Sequence, residues 1–166
     1  MSRFLYLMRH AQSTDKQFGQ TDKERELTAQ GMNDARLAGK YLSAQKIILE
    51  LLVSSTAIRA SQTATLVAQA LKPDSIKIQL TEELYTAVPR TFLEIIHHFD
   101  ETYHHIMCVG HNPVISYLAE YLTEKEIGDM PPAGIAMIKC RATSWREVNQ
   151  GFCEVIAMVT PDNFKS

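Results

Sequence analysis

The sequence predicts an α/β protein, a three-layer α/β/α sandwich around a mixed, mostly parallel sheet. Short apolar segments of strand length alternate with longer segments whose apolar residues recur at helical spacing, the order that builds a parallel sheet. The last two apolar segments follow each other without a helix between them, so antiparallel neighbours are expected there. The 166 residues contain no repeat or linker, and we expect one domain over residues 1–166.

Six segments have the length and composition of strands. They are Phe4–Met8, the latter half of Ile47–Val53, Ile76–Leu80, Ile106–Val109, Ile135–Cys140 and Phe152–Val159. The first is apolar throughout, as in a strand buried on both faces. Ile76–Leu80 instead alternates apolar and polar residues, which predicts a less buried strand near the edge of the sheet.

Four helices connect these strands, and capping residues predict where each begins. They run from Thr28 to about Ser43, from Thr56 or Ser55 to about Leu71, from Pro89 to about Phe99 and from Asn112 to about Leu122. Threonine, serine and asparagine accept hydrogen bonds from the first turn of a helix, and proline fits that turn because its nitrogen needs no partner there. Lys72 and Pro73 end the second helix, and the polar residues 12–27 predict a loop.

The composition is that of an ordinary soluble protein, with 45% hydrophobic and 22% charged residues. A net charge of −2 and a pI near 6.3 argue against nucleic-acid binding, which usually requires a basic domain. The apolar run Phe4–Met8 is too short for a signal peptide or a membrane span. We therefore expect a cytoplasmic protein with no nucleic-acid or membrane partner.

Cysteines and clustered histidines suggest no cofactor. Cys108, Cys140 and Cys153 are odd in number and lack CxxC spacing, which predicts three reduced, buried thiols. The clustered histidines are His97, His98, His104 and His105. Adjacent histidines on a helix point in different directions, and no ligand spacing accompanies them, so we expect neither a metal nor another cofactor.

Three predicted strands are each followed by side chains suited to bind an anion. Arg9 and His10 come directly after the first strand, Arg59 after the second, and His111 after the strand that ends at Val109. Because ligands of α/β proteins bind at the carboxyl ends of the strands, these groups are expected to meet at one rim. Two guanidiniums and two imidazoles suit a phosphoryl group, whose oxygens arginines hold while a histidine attacks the phosphorus.

Arg59 is predicted in the first turn of a helix, where a cation opposes the helix dipole at a cost of roughly 0.3–1 kcal/mol. An anion bound at the same helix start would reverse that effect, because backbone amides and the guanidinium would converge on it. The alternative is a solvated surface arginine. Because Arg9, His10 and His111 are expected at the same rim, we favour the anion site over the surface arginine.

His10 is the candidate nucleophile, and attack requires an unprotonated ring nitrogen. The reference pKa of imidazole is about 6.5, and nearby arginines disfavour the charged form. A hydrogen bond from the other ring nitrogen to a backbone carbonyl would fix the tautomer.

These residues resemble a known family, the histidine phosphatase superfamily with the phosphoglycerate mutase-like fold. Arg9-His10-Ala11 is similar to its Arg-His-Gly motif, with alanine in place of glycine; the stretch from Ser54 through Arg59 to Ala64 is similar to its second arginine motif, and Gly110-His111-Asn112-Pro113 to its second histidine motif. The resemblance implies that His10 becomes phosphorylated while Arg9, Arg59 and His111 form the phosphate pocket. The short chain, with Glu83-Leu84-Tyr85, most resembles bacterial phosphohistidine phosphatases of the SixA type.

The general acid stays open between Glu82, Glu83 and none, and the resemblance favours Glu83. Ser13, in the loop after His10, is a further candidate for binding the phosphoryl group. An alkoxide leaving group needs a proton, whereas an imidazole leaving group, with a reference pKa near 6.5, needs far less help. A site without a well-placed acid is therefore expected to favour phosphohistidine over sugar phosphates.

The sequence thus predicts a phosphatase that works through a phosphohistidine intermediate on a phosphorylated protein. One alternative is a small-molecule phosphomonoesterase or a phosphoglycerate mutase-like enzyme acting on a phosphorylated metabolite. The other is a phosphate-binding module without catalysis.

Overall fold

A six-stranded sheet forms the centre of the protein in the computed structural model, which describes residues 2–71 and 73–165 except the side chain of Pro73. The strands are β1 (Arg3–Arg9), β2 (Leu51–Ser55), β3 (Lys77–Thr81), β4 (His105–Gly110), β5 (Ile135–Cys140) and β6 (Cys153–Val159). Their order is β3-β2-β4-β1-β5-β6, with the first four parallel to one another and β5 antiparallel to both β1 and β6. The predicted mixed sheet is confirmed, including the two antiparallel strands at the end of the chain.

Helices cover both faces of this sheet and make the predicted sandwich. They are α1 (Ala29–Ala44), α2 (Ile58–Ala70), α3 (Glu82–Tyr85), α4 (Pro89–His97), α5 (Val114–Thr123) and α6 (Pro161–Phe164). The central strand β1 divides its apolar side chains between two cores, because successive residues of a strand point to opposite faces. Leu5 and Leu7 pack with α4 and α5, whereas Tyr6 and Met8 pack with α1 and α2.

The predicted edge strand is confirmed, since β3 lies at one edge of the sheet and its first four residues are exposed. The short helices α3 and α6 and the 3-10 turns Asp22–Glu24, Pro73–Ser75 and Trp145–Glu147 were not predicted. Each is a single turn, too short to give a periodic apolar pattern. No helix in the described chain has the length and apolar character that a membrane span needs.

Of the predicted helix caps, Thr28 is confirmed and two others are wrong. The Thr28 hydroxyl accepts a hydrogen bond from the backbone N–H of Gly31 at 2.9 Å. Thr56 does not cap α2, because its hydroxyl binds the carboxylate of Glu82; the Ser55 hydroxyl accepts the N–H of Ala57 at 3.1 Å, just before the helix. Helix α2 ends at Ala70, one residue before the predicted end near Leu71, and Lys72 lies outside the described residues.

Asn112 was predicted to cap α5, but it lies one residue too early. The helix begins at Val114, after a cis bond between Asn112 and Pro113. The Asn112 side chain instead accepts a hydrogen bond from the Ser116 hydroxyl at 2.6 Å and donates to the carbonyl of Met130 at 3.0 Å. It therefore joins the start of α5 to the loop before β5.

The prediction of three reduced thiols is wrong for two of them. Cys140 and Cys153 are paired residues of the neighbouring strands β5 and β6, their Cα atoms lie 4.0 Å apart, and they form a disulfide. Cys108 is free and buried. The pairing depends on the register of two strands, which the cysteine spacing does not reveal.

Candidate active site

The strand register places the two candidate histidines side by side. Arg9, the last residue of β1, pairs with Gly110, the last residue of β4. His10 and His111 follow these paired residues directly, and their ring centroids lie 5.2 Å apart. The backbone N–H of His10 also donates to the carbonyl of Gly110 at 3.1 Å. The expected meeting of two imidazoles at the carboxyl edge is thus a direct result of parallel pairing.

A cavity of about 320 Å³ opens at this edge of the sheet. Its lining residues are Arg9, His10, Gln12, Ser13, Arg25, Arg59, His111, Asn112 and Pro132. The structure therefore brings together five of the six predicted site residues, all except Glu83.

The ring of His10 is held in one tautomer. Its Nδ1 lies 2.7 Å from the carbonyl oxygen of Ala11, and since a carbonyl only accepts, Nδ1 carries the proton. The lone pair is then on Nε2, to which Nε of Arg59 donates at 3.4 Å. Burial lowers the pKa of His10 to about 3, and the charges of Arg59 and Arg9 act in the same direction. At neutral pH the ring is an uncharged base.

Arg59 is buried in the first turn of α2 and its guanidinium is held on both outer nitrogens. Nη1 donates to the backbone carbonyl of Asp22 at 2.8 Å, and Nη2 donates to its carboxylate at 3.0 Å. The carboxylate offsets the unfavourable position of this cation near the helix start. The alternative of a solvated surface arginine does not hold, because only 7% of the side chain is exposed.

Arg9 and His111 each use part of their hydrogen-bonding capacity within the chain. Nη1 of Arg9 donates to the carbonyl of Met130 at 2.9 Å, and Nε2 of His111 shares a hydrogen bond of 2.8 Å with the Ser55 hydroxyl. Nε of Arg9 and Nδ1 of His111 are buried and have no partner among the described residues. Burial lowers the pKa of His111 to about 4, so this ring is also neutral at pH 7.

Sequence reasoning gave no site role to the carboxylate of Asp22, which lies beside the cavity against Arg59. It accepts hydrogen bonds from Arg59, from Nη1 of Arg25 at 2.9 Å and from the hydroxyl of Tyr85 at 2.9 Å. Burial opposes its ionisation, but these three donors outweigh burial and hold the pKa of Asp22 well below its usual range. The Tyr85 ring in turn lies edge-on to His111, with centroids 5.7 Å apart. Only folding joins these residues.

Ser13 lies in the cavity as predicted. Its hydroxyl oxygen accepts a hydrogen bond from Nη2 of Arg25 at 3.0 Å. The hydroxyl proton remains available for an acceptor, so this side chain can donate to a bound oxyanion.

The structure does not bring Glu83 to His10. Glu83 lines a separate groove of about 500 Å³ between β3 and α4. A helix begins at Glu82, and successive helical side chains point about 100° apart, so the two glutamates diverge. Glu82 accepts hydrogen bonds from Lys23 and Thr56, which lower its pKa, and it does not line the cavity either.

Three of the four clustered histidines have separate hydrogen-bond partners, and the buried Nδ1 of His104 has none among the described residues. His97 bonds the carbonyl of Val148, His98 bonds a carbonyl of its own helix, and His105 bonds the hydroxyl of Tyr6. In the described ranges, no group of three His, Cys, Asp or Glu side chains is placed to hold a metal ion.

Comparisons with known proteins agree with the motifs. The family model of the histidine phosphatase superfamily, branch 1, matches residues 5–88. An uncharacterized protein of Mycobacterium tuberculosis is 30% identical over 164 residues, covering 93% of this chain and 99% of its own. The candidate phosphohistidine phosphatase SixA of Agrobacterium tumefaciens has a TM-score of 0.83 at 25% identity, over 96% of this chain and 98% of that one.

The fold has a further match in the protein histidine phosphatase SixA complexed with tungstate. The TM-score is 0.76 at 23% identity, with 96% of this chain and 98% of that chain covered. The matched family model includes Arg9, His10 and Arg59, whereas His111 lies beyond it and enters the same cavity through the register of β1 and β4. The chain belongs to the histidine phosphatase superfamily.

Proposed function

We propose that this phosphatase hydrolyses phosphohistidine in a protein, with His10 as the nucleophile. The observation that carries the proposal is the lone pair on Nε2 of His10, which is fixed by the Ala11 carbonyl in a cavity lined by three arginines. A neutral nucleophile beside cations suits attack on an anionic phosphoryl group.

In the first step, Nε2 of His10 forms a bond to phosphorus while the bond from phosphorus to the substrate ring breaks. The electron pair of that bond stays on the substrate nitrogen, which leaves as neutral imidazole when its other nitrogen carries a proton. In the second step, water attacks the phosphorus, His10 leaves with its lone pair, and the water proton goes to phosphate or solvent. Arg9, Arg59, His111 and the Ser13 hydroxyl bind the phosphoryl oxygens through both steps.

The lack of a carboxylic acid among the described residues that line the cavity supports phosphohistidine over phosphate esters as the substrate. The neighbouring Asp22 is held ionised by three donors, so it is a poor proton source for a leaving alkoxide. A neutral imidazole leaving group needs no proton from the enzyme, and the missing acid therefore costs little with that substrate.

Trapping the phosphoenzyme tests the nucleophile. The protein is mixed with labelled phosphoramidate, a small donor with a P–N bond, and quenched in detergent at alkaline pH. Label is expected on the wild type and on His98→Ala, which changes an exposed histidine outside the cavity, but not on His10→Ala. Label retained by His10→Ala refutes the assignment of the nucleophile.

Turnover on three substrates tests the substrate class. A phosphohistidine protein is expected to give a higher kcat/KM than nitrophenyl phosphate, and 3-phosphoglycerate the lowest value. A dominant rate with phosphoglycerate would favour the small-molecule phosphomonoesterase or mutase instead.

A further inference from the structure

Asp22 contacts three side chains around the site, those of Arg59, Arg25 and Tyr85, although it does not line the cavity itself. Its backbone carbonyl and its carboxylate both accept from Arg59. The same carboxylate accepts from Arg25 through its other oxygen and from the hydroxyl of Tyr85. Three donors from three segments of the chain therefore converge on a single side chain.

The guanidinium nitrogens of Arg59 bond to two different residues. Both Nη atoms donate to Asp22, whereas Nε donates toward Nε2 of His10. A guanidinium is planar and rigid, so fixing two of its nitrogens fixes the direction of the third N–H. The direction that Asp22 sets is the one that leads to the nucleophilic nitrogen.

Tyr85 connects the same carboxylate to the second histidine. Its hydroxyl donates to Asp22 at 2.9 Å while its ring edge contacts His111. Lys23 lies over the Tyr85 ring at 5.6 Å and also binds Glu82, which holds the turn that carries Asp22 against α3. The position of the Tyr85 ring thus depends on the same turn.

We propose that Asp22 is a positioning residue that aims Nε of Arg59 at the phosphoryl group carried by Nε2 of His10 and keeps Tyr85 packed on His111. Its catalytic consequence rests on the proposed function, since it needs His10 to be the phosphorylated residue. Asp22 itself touches no reacting atom and acts through Arg59.

If the Asp22 carboxylate acts instead by repelling phosphate, its removal is expected to have a different effect on kcat and KM. A negative charge beside the cavity that merely repels phosphate would slow substrate binding. Removing it would lower KM and raise kcat/KM. If Asp22 orients Arg59, its removal lowers kcat although the anion binds as well as before or better.

Steady-state kinetics of Asp22→Ala and Asp22→Asn separate the two roles. Misplacing a catalytic group by about 1 Å costs about 100-fold in rate, so kcat of Asp22→Ala is expected to fall by about 10- to 100-fold with KM unchanged or lower. Asparagine keeps an acceptor for Arg59, so Asp22→Asn is expected to fall less. Asp74→Asn controls for the change in net charge, because Asp74 is exposed and lies before the start of β3, at the end of the strands away from the cavity. An unchanged or higher kcat of Asp22→Ala overturns the proposal.

The orientation of Arg59 can be measured without turnover. In protein labelled with nitrogen-15, the Nε–H resonance of Arg59 is assigned by its loss in Arg59→Lys. A resolved, slowly exchanging signal is expected in the wild type and in Asp74→Asn, and its collapse toward the position of free arginine in Asp22→Ala. An unchanged signal in a folded Asp22→Ala protein overturns the proposal. Because this readout needs no catalysis, it stands even if wild-type protein forms no phosphoenzyme.

A double-mutant cycle tests the role of Tyr85. Tyr85→Phe removes only the hydroxyl that donates to Asp22 and is expected to lower kcat several-fold in the wild type. In the Asp22→Ala background the same change is expected to have no further effect, since its acceptor is gone. Multiplicative losses in the double variant refute the link through Asp22.

Discussion

His10 is a base whose charge state depends on its surroundings. Burial and two arginines lower its pKa to about 3, while the Ala11 carbonyl selects the tautomer. The arginines that we propose to bind the phosphoryl group therefore act together with burial to keep Nε2 of His10 unprotonated.

This lowered pKa predicts how stability depends on pH. In the unfolded chain His10 takes up a proton near pH 6.5, whereas in the folded protein it does so only near pH 3. Between these values the unfolded state binds more protons, so acid favours unfolding. Going from pH 7 to pH 5 is expected to lower the free energy of unfolding by about 2 kcal/mol more in the wild type than in His10→Asn. Urea denaturation at both pH values measures the difference. His98→Asn, at an exposed site, should behave like the wild type, and equal pH dependence of His10→Asn and wild type would contradict the shift.

The buried hydroxyl of Thr63 joins the backbone that follows His10 to the backbone of Arg59. It accepts the N–H of Ala11 at 3.0 Å and donates to the carbonyl of Arg59 at 2.7 Å. Thr63→Val leaves a buried N–H without a partner, which costs about 1–3 kcal/mol of unfolding free energy. Thermal or urea unfolding checks this, with the exposed helix position Thr65→Val as the control. A Thr63→Val protein as stable as Thr65→Val would show that the bond is dispensable.

At the scale of elements, the ends of parallel strands assemble the site, and α1 holds the loop after β1 in place. Gly31, in the first turn of α1, faces the backbone of Gln12 so closely that a Cβ would lie 2.0 Å from the Gln12 carbonyl oxygen. The loop that follows His10 therefore depends on a missing side chain in the helix.

Gly31→Ala is expected to push this loop away. Overpacking of this kind costs about 1–3 kcal/mol, and here it acts on a backbone segment that lines the cavity. Both the unfolding free energy and kcat should fall, as measured by urea denaturation and phosphatase assays. Asn33→Ala, at an exposed position of the same helix, controls for the added alanine. If Gly31→Ala matches that control in both measurements, the close approach does not limit the site.

At the scale of the whole molecule, the disulfide and the cavity lie at opposite ends of the strands. Cys140 pairs with Arg3 at the start of β1, whereas the cavity lies at the other end of that strand. The disulfide therefore strengthens the β5–β6 end of the fold without touching the site.

Reduction of the disulfide is expected to lower Tm without changing kcat at 25 °C. The cysteines are 13 residues apart, and closing a loop of about 15 residues stabilises the folded state by about 3 kcal/mol. Calorimetry with and without dithiothreitol measures the effect, and the double variant Cys140→Ser/Cys153→Ser should no longer respond to the reductant. A wild-type Tm that is insensitive to reductant would contradict this contribution.

The order of strands and helices could be predicted from the sequence because apolar periodicity is a local property. The same holds for Arg9, His10, Arg59 and His111, which stand just after strands or at the start of a helix, where α/β proteins bind ligands. The caps predicted at Thr56 and Asn112 were wrong, because these side chains bond to groups outside the first turn, to Glu82 and to the Met130 carbonyl respectively.

By itself, then, the sequence determined the sandwich, the rim and the four cationic or imidazole groups placed on it. Only the tertiary structure decided which carboxylates face them: Asp22 reaches Arg59 from 37 positions away, while Glu83 points into another groove. It also paired Cys140 with Cys153. Both outcomes depend on strand register and on the direction of side chains in single turns, and neither of these leaves a periodic signal in the sequence.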